Sequence, residues 1–340
     1  MKLVMLALWC AGTCGTAGAQ NEHWAKKLTP YKPAAQVHGV VRTYGNNYIP
    51  KLVKQWETAF QKFQPGVTFT DNLPGTEAAL AGLYGGIADV VFVGREGYRS
   101  ELNAFRSRLG YEPLGIEISS GSFNTPHKTF SLQVFVHHDN TVTQLTMQQC
   151  EGIFGAGSSR APRIRTWGQL GVTGERASHP IHVYGYNFET GMAGYFNRVV
   201  LHDSGRWNED LKDFDNGHEP NGEVINAGVY ILQALAKDPD GIAFANVLYT
   251  NPQVKTVVLA RDAKAPFIEP SREAVWSRAY PIARFTMAYA NRQPSQPLDR
   301  AVQEFLRFIV SREGMELVES DGAYLPINPE VQARDLEKLQ

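Results

Sequence analysis

The chain has 340 residues, of which 43% are hydrophobic, and its 33 lysines and arginines nearly balance its 34 acidic residues. A chain of this length can bury a large core in two lobes, and its balanced charge excludes the basic field that nucleic-acid binding needs. No later apolar run is long enough to span a bilayer as a helix, so we predict no membrane span.

The first nineteen residues are typical of an export signal. Lys2 supplies a positive charge, residues 3–9 an apolar stretch, and residues 17–19 (Ala-Gly-Ala) a cleavage site. We predict a signal peptide over 1–19, cleavage after Ala19, and a periplasmic or secreted mature protein. Cys150 is then the remaining cysteine, which excludes an internal disulfide.

The rest of the chain alternates between short β-rich runs and amphipathic helices. Residues 20–37 are polar, and we interpret them as a loose leader. The predicted elements are a strand at 37–43, a helix at 49–63 with Pro50 in its first turn, a strand at 67–70, a helix at 78–84, strands at 88–93 and 130–136, a helix from 145, a strand at 181–184, helices from 192 and at 224–236, strands at 241–244 and 280–289, and a helix at 298–310. This alternation favours an α/β protein with a mainly parallel sheet, whose ligands bind where the strands end.

The stretch 180–201 changes its hydrophobic period from that of a strand to that of a helix. We expect the strand to break at Gly185, and apolar residues then recur at helical spacing from Met192. Thr190 stands where a hydroxyl caps the first turn, and Gly191 lets a ligand approach the backbone. The first N–H groups of such a helix can bind an anion, although an ordinary strand–loop–helix connection has the same pattern.

Three other strands end in similar polar turns. These turns carry Asn47 and Tyr48, Gly75 and Thr76, and Gly94 and Arg95. Asn47 can donate to a ligand or cap its own helix. Arg95 can contact a ligand or pair with Glu96 or Glu77.

Taken in order, several segments resemble the phosphate-binding component of bacterial phosphate ABC transporters, a periplasmic solute-binding family. The segments that carry the resemblance are residues 145–155 (LTMQQCEGIFG), 167–171 (WGQLG), 180–201, 240–244 (DGIAF), 280–282 (YPI) and 322–326 (GAYLP). The resemblance implies an α/β, two-lobed, type II periplasmic-binding-protein fold with the ligand cleft between the lobes. It assigns 38–132 plus 282–328 to lobe 1 and 133–281 to lobe 2, which leaves 329–340 as a C-terminal tail.

In that family, phosphate is held by helix N-termini, hydroxyls, an arginine and often an acidic group. Carried over to this chain, the ligand-binding residues are Asn47, Tyr48, Gly75, Thr76, Gly94, Arg95, Tyr186, Thr190, Gly191 and Met192. The family's Arg-x-x-x-Ser-Gly-Thr motif is altered here, because Tyr186, Thr190 and Met192 replace its arginine, serine and last threonine. The loss of the guanidinium removes a bidentate phosphate partner, and Glu189 adds a negative charge beside the motif.

The resemblance predicts an exported solute-binding protein that captures phosphate or a related oxyanion for ABC-type uptake or sensing. We expect a monomer without cofactor or metal, with an ABC transporter permease as its partner. A different small solute that uses Tyr48 or Tyr186 is an alternative ligand.

Two other classes of protein stay open at this point. A non-transport interaction protein with a degenerate cleft would show the same altered motif. An exported enzyme is disfavoured because the chain has no P-loop, nucleophile elbow or zinc-protease helix motif, so we predict no enzyme. His137, His138 and Asp139 could be imagined as a metal cluster. As neighbours on a strand, however, His137 and His138 would point to opposite faces, which argues against a shared metal ion.

Overall fold

A computed structural model describes residues 23–340. The predicted signal peptide and its cleavage site lie outside the described residues. The strands are β1 (His38–Gly45), β2 (Gly66–Asn72), β3 (Val90–Val93), β4 (Leu114–Ser119), β5 (Gln133–His137), β6 (Gln144–Thr146), β7 (His182–Tyr186), β8 (Lys212–Phe214), β9 (Gly217–His218), β10 (Val224–Ile225), β11 (Gly241–Ala245), β12 (Val254–Thr256), β13 (Val258–Ala260) and β14 (Thr286–Ala290). The α-helices are α1 (Pro50–Gln61), α2 (Ala79–Tyr84), α3 (Arg99–Leu109), α4 (Met147–Phe154), α5 (Gly191–Val200), α6 (Ala227–Leu235), α7 (Arg272–Trp276), α8 (Arg300–Ile309), α9 (Arg312–Asp321) and α10 (Pro329–Lys338).

The strands form two five-stranded sheets, each packed against its own hydrophobic core, which confirms the predicted two-lobed α/β fold. The first sheet has the order β2-β1-β3-β14-β4 and the second the order β12-β5-β11-β7-β8. The prediction of a mainly parallel sheet is wrong, since β14 runs antiparallel to β3 and β4, and β5 runs antiparallel to β11 and β12. The chain crosses between the sheets after β4 and again before β14, and the two crossings meet where Leu132 N donates to Ile282 O at 3.4 Å.

Helix α1 confirms most of the first helix prediction. Pro50 lies in the first turn, and the predicted apolar face is buried against the core of the first sheet. The helix ends at Gln61, so Phe63 lies beyond it and is 36% exposed. Ile49 precedes the helix and no side chain caps it, so the interpretation of Asn47 as a helix cap is wrong.

The predicted transition from strand to helix at 180–201 is also observed, with one correction. Strand β7 runs through Gly185 to Tyr186 and does not break at the glycine. Thr190 caps α5 as predicted, because its hydroxyl accepts a hydrogen bond from Ala193 N at 3.2 Å.

Other predicted elements have different bounds. The strands predicted at 280–289 and 130–136 are shorter in the structure, where they correspond to β14 and β5. The helices predicted from 145 and at 224–236 start later, as α4 and α6, because their first residues belong to the short strands β6 and β10. Pro281 has no N–H for a strand ladder, which disfavours a strand at the start of 280–289. Thr146 does not continue a helix but caps α4, since its hydroxyl accepts from Gln149 N at 3.2 Å.

The two ends of the described chain are fixed by packing. Trp24 stacks on Trp276 with ring centroids 5.1 Å apart, and the Tyr31 hydroxyl donates to Glu304 at 2.6 Å. The loose leader predicted at 20–37 is therefore wrong for the part that the structure describes. The segment predicted as a tail carries α10, whose buried Asp335 accepts from Glu117 N at 2.7 Å. Among residues 23–340, no helix has the length and apolar character that a membrane crossing requires.

Glu57 on α1 makes the stability of this sheet depend on pH. Its side chain is 1% exposed. Burial raises its pKa from the usual 4.5 to about 8, a hydrogen bond to Asp71 also raises it, and Lys54 acts in the opposite direction. The folded protein therefore holds a proton that the unfolded chain has released above pH 4.5.

We expect the free energy of unfolding contributed by Glu57 to fall as pH rises from about 4.5 to about 8. Urea unfolding across this pH range should show that the free energy of unfolding falls more steeply for the wild-type chain than for Glu57→Gln, because the glutamine carries no titrating proton. Glu112→Gln is the matched control because that carboxylate is 52% exposed in a surface ion pair. Identical pH profiles for wild type and Glu57→Gln would contradict a protonated Glu57 in the folded state.

Candidate functional site

Three polar groups meet where β1 and β3 end, and one of them was not predicted. Asn46 is fully buried and lies one residue before the predicted Asn47. Its Oδ1 accepts from Tyr48 N at 2.9 Å, while its Nδ2 has no hydrogen-bond partner within residues 23–340. A Cβ placed on Gly94 would lie 2.8 Å from that Nδ2 and 3.1 Å from the Thr76 hydroxyl, which accepts from Gly94 N at 3.0 Å. Asn46, Thr76 and Gly94 thus form a compact group, which we call the β1–β3 cluster.

The other predicted residues of these turns lie at the margin of the cluster. Asn47 is exposed, and Tyr48 is 57% exposed. Gly75 has a φ of +149°, and its N–H donates to Gly45 O at 2.8 Å. Gly75 therefore shapes the turn that presents Thr76, a conformation that a side chain would strain.

The crossing segment after β4 adds two side chains that the sequence analysis missed. The Lys128 ammonium donates to Tyr48 O at 2.6 Å, and the Thr129 hydroxyl donates to Gly94 O. Both residues lie between β4 and β5, outside any regular element, so no hydrophobic period marked them. They tie the crossing segment to the turns after β1 and β3.

Arg95 is bonded to a carboxylate other than its two predicted partners. Its Nη1 and Nη2 donate to the two carboxylate oxygens of Glu101 at 2.9 and 2.8 Å, and its guanidinium lies 3.5 Å from the centre of the Tyr98 ring. Burial lowers the pKa of Arg95, but the hydrogen bonds to Glu101 together with the charges of Tyr98, Glu101 and Glu77 raise that pKa above its ordinary value. The predicted carboxylate partners, Glu96 and Glu77, are thus wrong, although Nη1 also donates to the backbone oxygen of Glu96 at 3.1 Å.

The N-terminus of α5 faces the first lobe through Tyr98. A Cβ placed on Gly191 would lie 3.1 Å from the Tyr98 hydroxyl. The Met192 sulfur lies 3.1 Å from Nη1 of Arg284, a residue of the crossing segment before β14. Thr190, Gly191 and Met192 are each partly exposed. The first turn of α5 therefore lies at the boundary between the two sheets.

Arg284 is the second buried arginine near this boundary. Its side chain is 2% exposed, its Nη2 lies 3.2 Å from Glu96 Oε2, and its guanidinium lies 4.6 Å from the Tyr195 ring. Glu96 also accepts from Phe285 N at 3.2 Å. This pair joins the turn after β3 to the segment that leads into β14.

Tyr186, which stands where the sequence resemblance expects an arginine, lies in the core of the second sheet. It is 2% exposed, and its ring centroid lies 5.8 Å from that of Phe244. Burial raises the pKa of its hydroxyl well above the usual value of 10.0. An alternative ligand that stacks on or bonds to Tyr186 is therefore not supported by its position.

The pair His137 and His138 comes together with Asp139 because β5 ends at His137. The two histidines were expected on opposite strand faces, but the strand ends at His137, and candidate ligand atoms of the three residues lie within 4.8 Å of one another. However, His137 Nδ1 already accepts from Asp139 N at 3.2 Å. The other two side chains are 43% and 62% exposed, and we propose no metal site here.

Two mixed α/β lobes, with polar side chains and a helix N-terminus where they meet, define the class of two-lobed ligand-binding proteins. The sequence profile of the PBP superfamily domain matches residues 32–313. The chain belongs to this superfamily.

The chain is also similar to individual proteins of known name or structure. The chain is 29% identical over 316 residues to the phosphate-binding protein PstS of two strains of Pseudomonas aeruginosa, covering 92% of this chain and 90% of each relative. The crystal structure of PstS from Borrelia burgdorferi matches with a TM-score of 0.54 and 15% identity, covering 86% of this chain and 100% of that one. This second similarity is one of fold.

Proposed function

We propose that this protein is an exported solute-binding protein that captures phosphate between its two lobes for an ABC-type permease. The observation that carries the proposal is the similarity to PstS, which extends over 92% of the chain. In this proposal the protein is a periplasmic receptor and not an enzyme. The export signal at 1–19 directs it out of the cytoplasm.

The residues at the lobe boundary can hold a tetrahedral oxyanion without a cofactor. The unpartnered Asn46 Nδ2 and the Thr76 hydroxyl provide donors on the first lobe. The first turn of α5, from Gly191, provides backbone N–H groups and the positive end of the helix dipole on the second lobe. We infer that phosphate binds between these two groups.

Ligand capture then requires the lobes to move relative to each other. We propose lobe 1 at 38–132 plus 282–328 and lobe 2 at 133–281, with a hinge where Leu132 N donates to Ile282 O at 3.4 Å. Hinge closure around a ligand is a common motion of two-lobed binding proteins.

An interaction protein with a degenerate cleft is the second candidate. It is favoured by the two arginines, because Arg95 is bonded to Glu101 and Arg284 to Glu96. Tyr186 is also buried where the family has its arginine. Such a protein would bind no phosphate.

Calorimetric titration of the mature chain with phosphate separates the two candidates. We expect saturable binding of one phosphate, and at one hundred times the dissociation constant a stabilisation of about 2.7 kcal/mol, seen as a higher melting temperature. Thr190→Val should weaken binding and lower stability by about 0.5–2 kcal/mol, because it removes the cap of α5. Thr190→Ser keeps the hydroxyl and should behave like the wild type.

The absence of phosphate binding would contradict the proposed receptor and support the interaction protein. Binding of another compound from a panel of oxyanions and small metabolites would keep the receptor class and change its ligand.

A further inference from the structure

We propose that Lys128 supplies the positive charge for the bound anion that the altered motif has lost at Tyr186. This inference rests on the proposed phosphate-binding function and extends it, because neither the sequence motif nor the family resemblance assigns Lys128 to the ligand.

The charge balance at the lobe boundary points to Lys128. Both terminal nitrogens of Arg95 are bonded to Glu101 at 2.8 and 2.9 Å, and Arg284 is paired with Glu96 at 3.2 Å. Each arginine is thus neutralised by a carboxylate. Within residues 23–340, the interactions of the Lys128 ammonium are with the Tyr48 backbone oxygen and the Tyr324 ring, and no ion pair with a carboxylate is found. Its charge is therefore available to an anionic ligand.

The position of Lys128 next to the β1–β3 cluster supports the same role. Its ammonium donates to Tyr48 O at 2.6 Å, and Tyr48 N in turn donates to Asn46 Oδ1 at 2.9 Å. The next residue, Thr129, donates its hydroxyl to Gly94 O. Lys128 and Thr129 therefore contact both turns that form the cluster.

The ammonium is held in place but not saturated. It lies 5.8 Å from the Tyr324 ring, which favours a cation near that face. An ammonium has three N–H donors, and the backbone oxygen of Tyr48 takes one of them. Two donors therefore remain for an anionic ligand.

The unpartnered amide of Asn46 is an independent sign of a ligand at this place. Its Nδ2 is fully buried and unsatisfied within the described residues, and an unmade buried hydrogen bond is costly. An anion bound between Asn46 and Lys128 would satisfy this amide and neutralise the ammonium together.

A lysine in this role predicts a different selectivity from that of an arginine. An ammonium acts as a point charge, whereas a guanidinium imposes a planar, bidentate geometry. We therefore expect the affinity for phosphate to depend on ionic strength. We also expect the site to bind oxyanions of different charge and shape with more similar affinities than a bidentate arginine site would.

The test is calorimetric titration of inorganic phosphate into the mature wild-type chain and into Lys128→Met, Lys128→Arg and Lys212→Met. Lys128→Met should lose about 10- to 100-fold in affinity, the range for one hydrogen bond to a charged group. Lys128→Arg should retain most of the affinity. Lys212→Met is the matched control, since Lys212 also lies over a tyrosine, with its ammonium 5.7 Å from the Tyr184 ring, and belongs to the edge strand β8.

Melting temperatures without ligand show whether each variant is folded, and Lys128→Gln replaces Lys128→Met if that variant is not. Wild-type affinity in the folded Lys128 variant would overturn the role of Lys128 and leave the phosphate receptor standing. Equal losses of phosphate affinity in Lys128→Met and Lys212→Met would also overturn the role of Lys128, because they would show that only the net charge of the protein matters. A wild-type chain that binds no phosphate would overturn both proposals.

Discussion

Replacing Arg284 by methionine should lower the free energy of unfolding by about 3–5 kcal/mol, the usual cost of removing one partner from a buried ion pair. The side chains of Arg284 and Glu96 are 2% and 6% exposed. Without the guanidinium, Glu96 keeps one hydrogen bond, from Phe285 N at 3.2 Å, and its negative charge stays buried. Urea unfolding at neutral pH measures the loss.

The double variant Glu96→Gln/Arg284→Met is the control, because it removes both charges together. A hydrophobic or neutral replacement of a whole buried pair is often nearly neutral, so the double variant should recover much of the stability that Arg284→Met loses. Glu101→Gln in a separate variant should cost less, since Glu101 is 19% exposed. If Arg284→Met and the double variant were equally unstable, packing of the arginine stem and not its charge would be the cause.

The charge pairs also explain which parts of the site the sequence could not predict. Arg95 and Glu101 are six residues apart, and the intervening turn leads into α3, a helix that we did not predict. Phe105 is the buried residue of that helix, so its hydrophobic period is weak. Without α3, the carboxylate that bonds to Arg95 could not be identified.

The sequence did predict the elements whose apolar residues repeat regularly. Helix α8 has a continuous buried face that includes Val302, Phe305 and Ile309, and α5 has both that periodicity and its cap, Thr190. The order of the weak family segments was enough to predict two lobes. The resemblance concerned the chain as a whole, so one altered motif did not obscure it.

The turn after β1 shows the limit of a prediction made one residue at a time. Asn46 and Asn47 are adjacent residues of the same type, yet Asn46 is fully buried and Asn47 is exposed. Asn46 N donates to Phe92 O at 2.9 Å, which joins this residue to β3, and its side chain lies beside Gly94. Such a long-range hydrogen bond leaves no local signal.

The predicted strand break at Gly185 is wrong for a related reason, because the glycine lies within β7. A Cβ at this position would lie 2.1 Å from Cε1 of Phe244, so the glycine makes room for that ring and does not end the strand. A glycine within a strand often marks such a close approach. The pairing of β7 with β11 places the two residues together, and the sequence alone does not give that pairing.

Phe244→Ala should therefore be among the most destabilising single changes, at about 3–5 kcal/mol for a fully buried phenylalanine. The Phe244 ring stacks on Phe196 of α5 with centroids 4.0 Å apart and meets the Phe154 ring edge-on at 5.6 Å. Removing it leaves a cavity beneath α5. Urea unfolding should show the loss, and Phe267→Ala, at a residue that is 39% exposed, should stay within about 0.5 kcal/mol of the wild type.

The same change connects the core to the proposed ligand site. Because Phe196 lies on α5, loss of its stacking partner should allow the first turn of that helix to shift, and phosphate affinity of the folded Phe244→Ala fraction should fall. Phe244→Leu fills most of the cavity and should recover both stability and affinity in part. A folded Phe244→Ala protein that binds phosphate as tightly as the wild type would show that the first turn of α5 is held by its contacts with Tyr98 and Arg284, independently of the core.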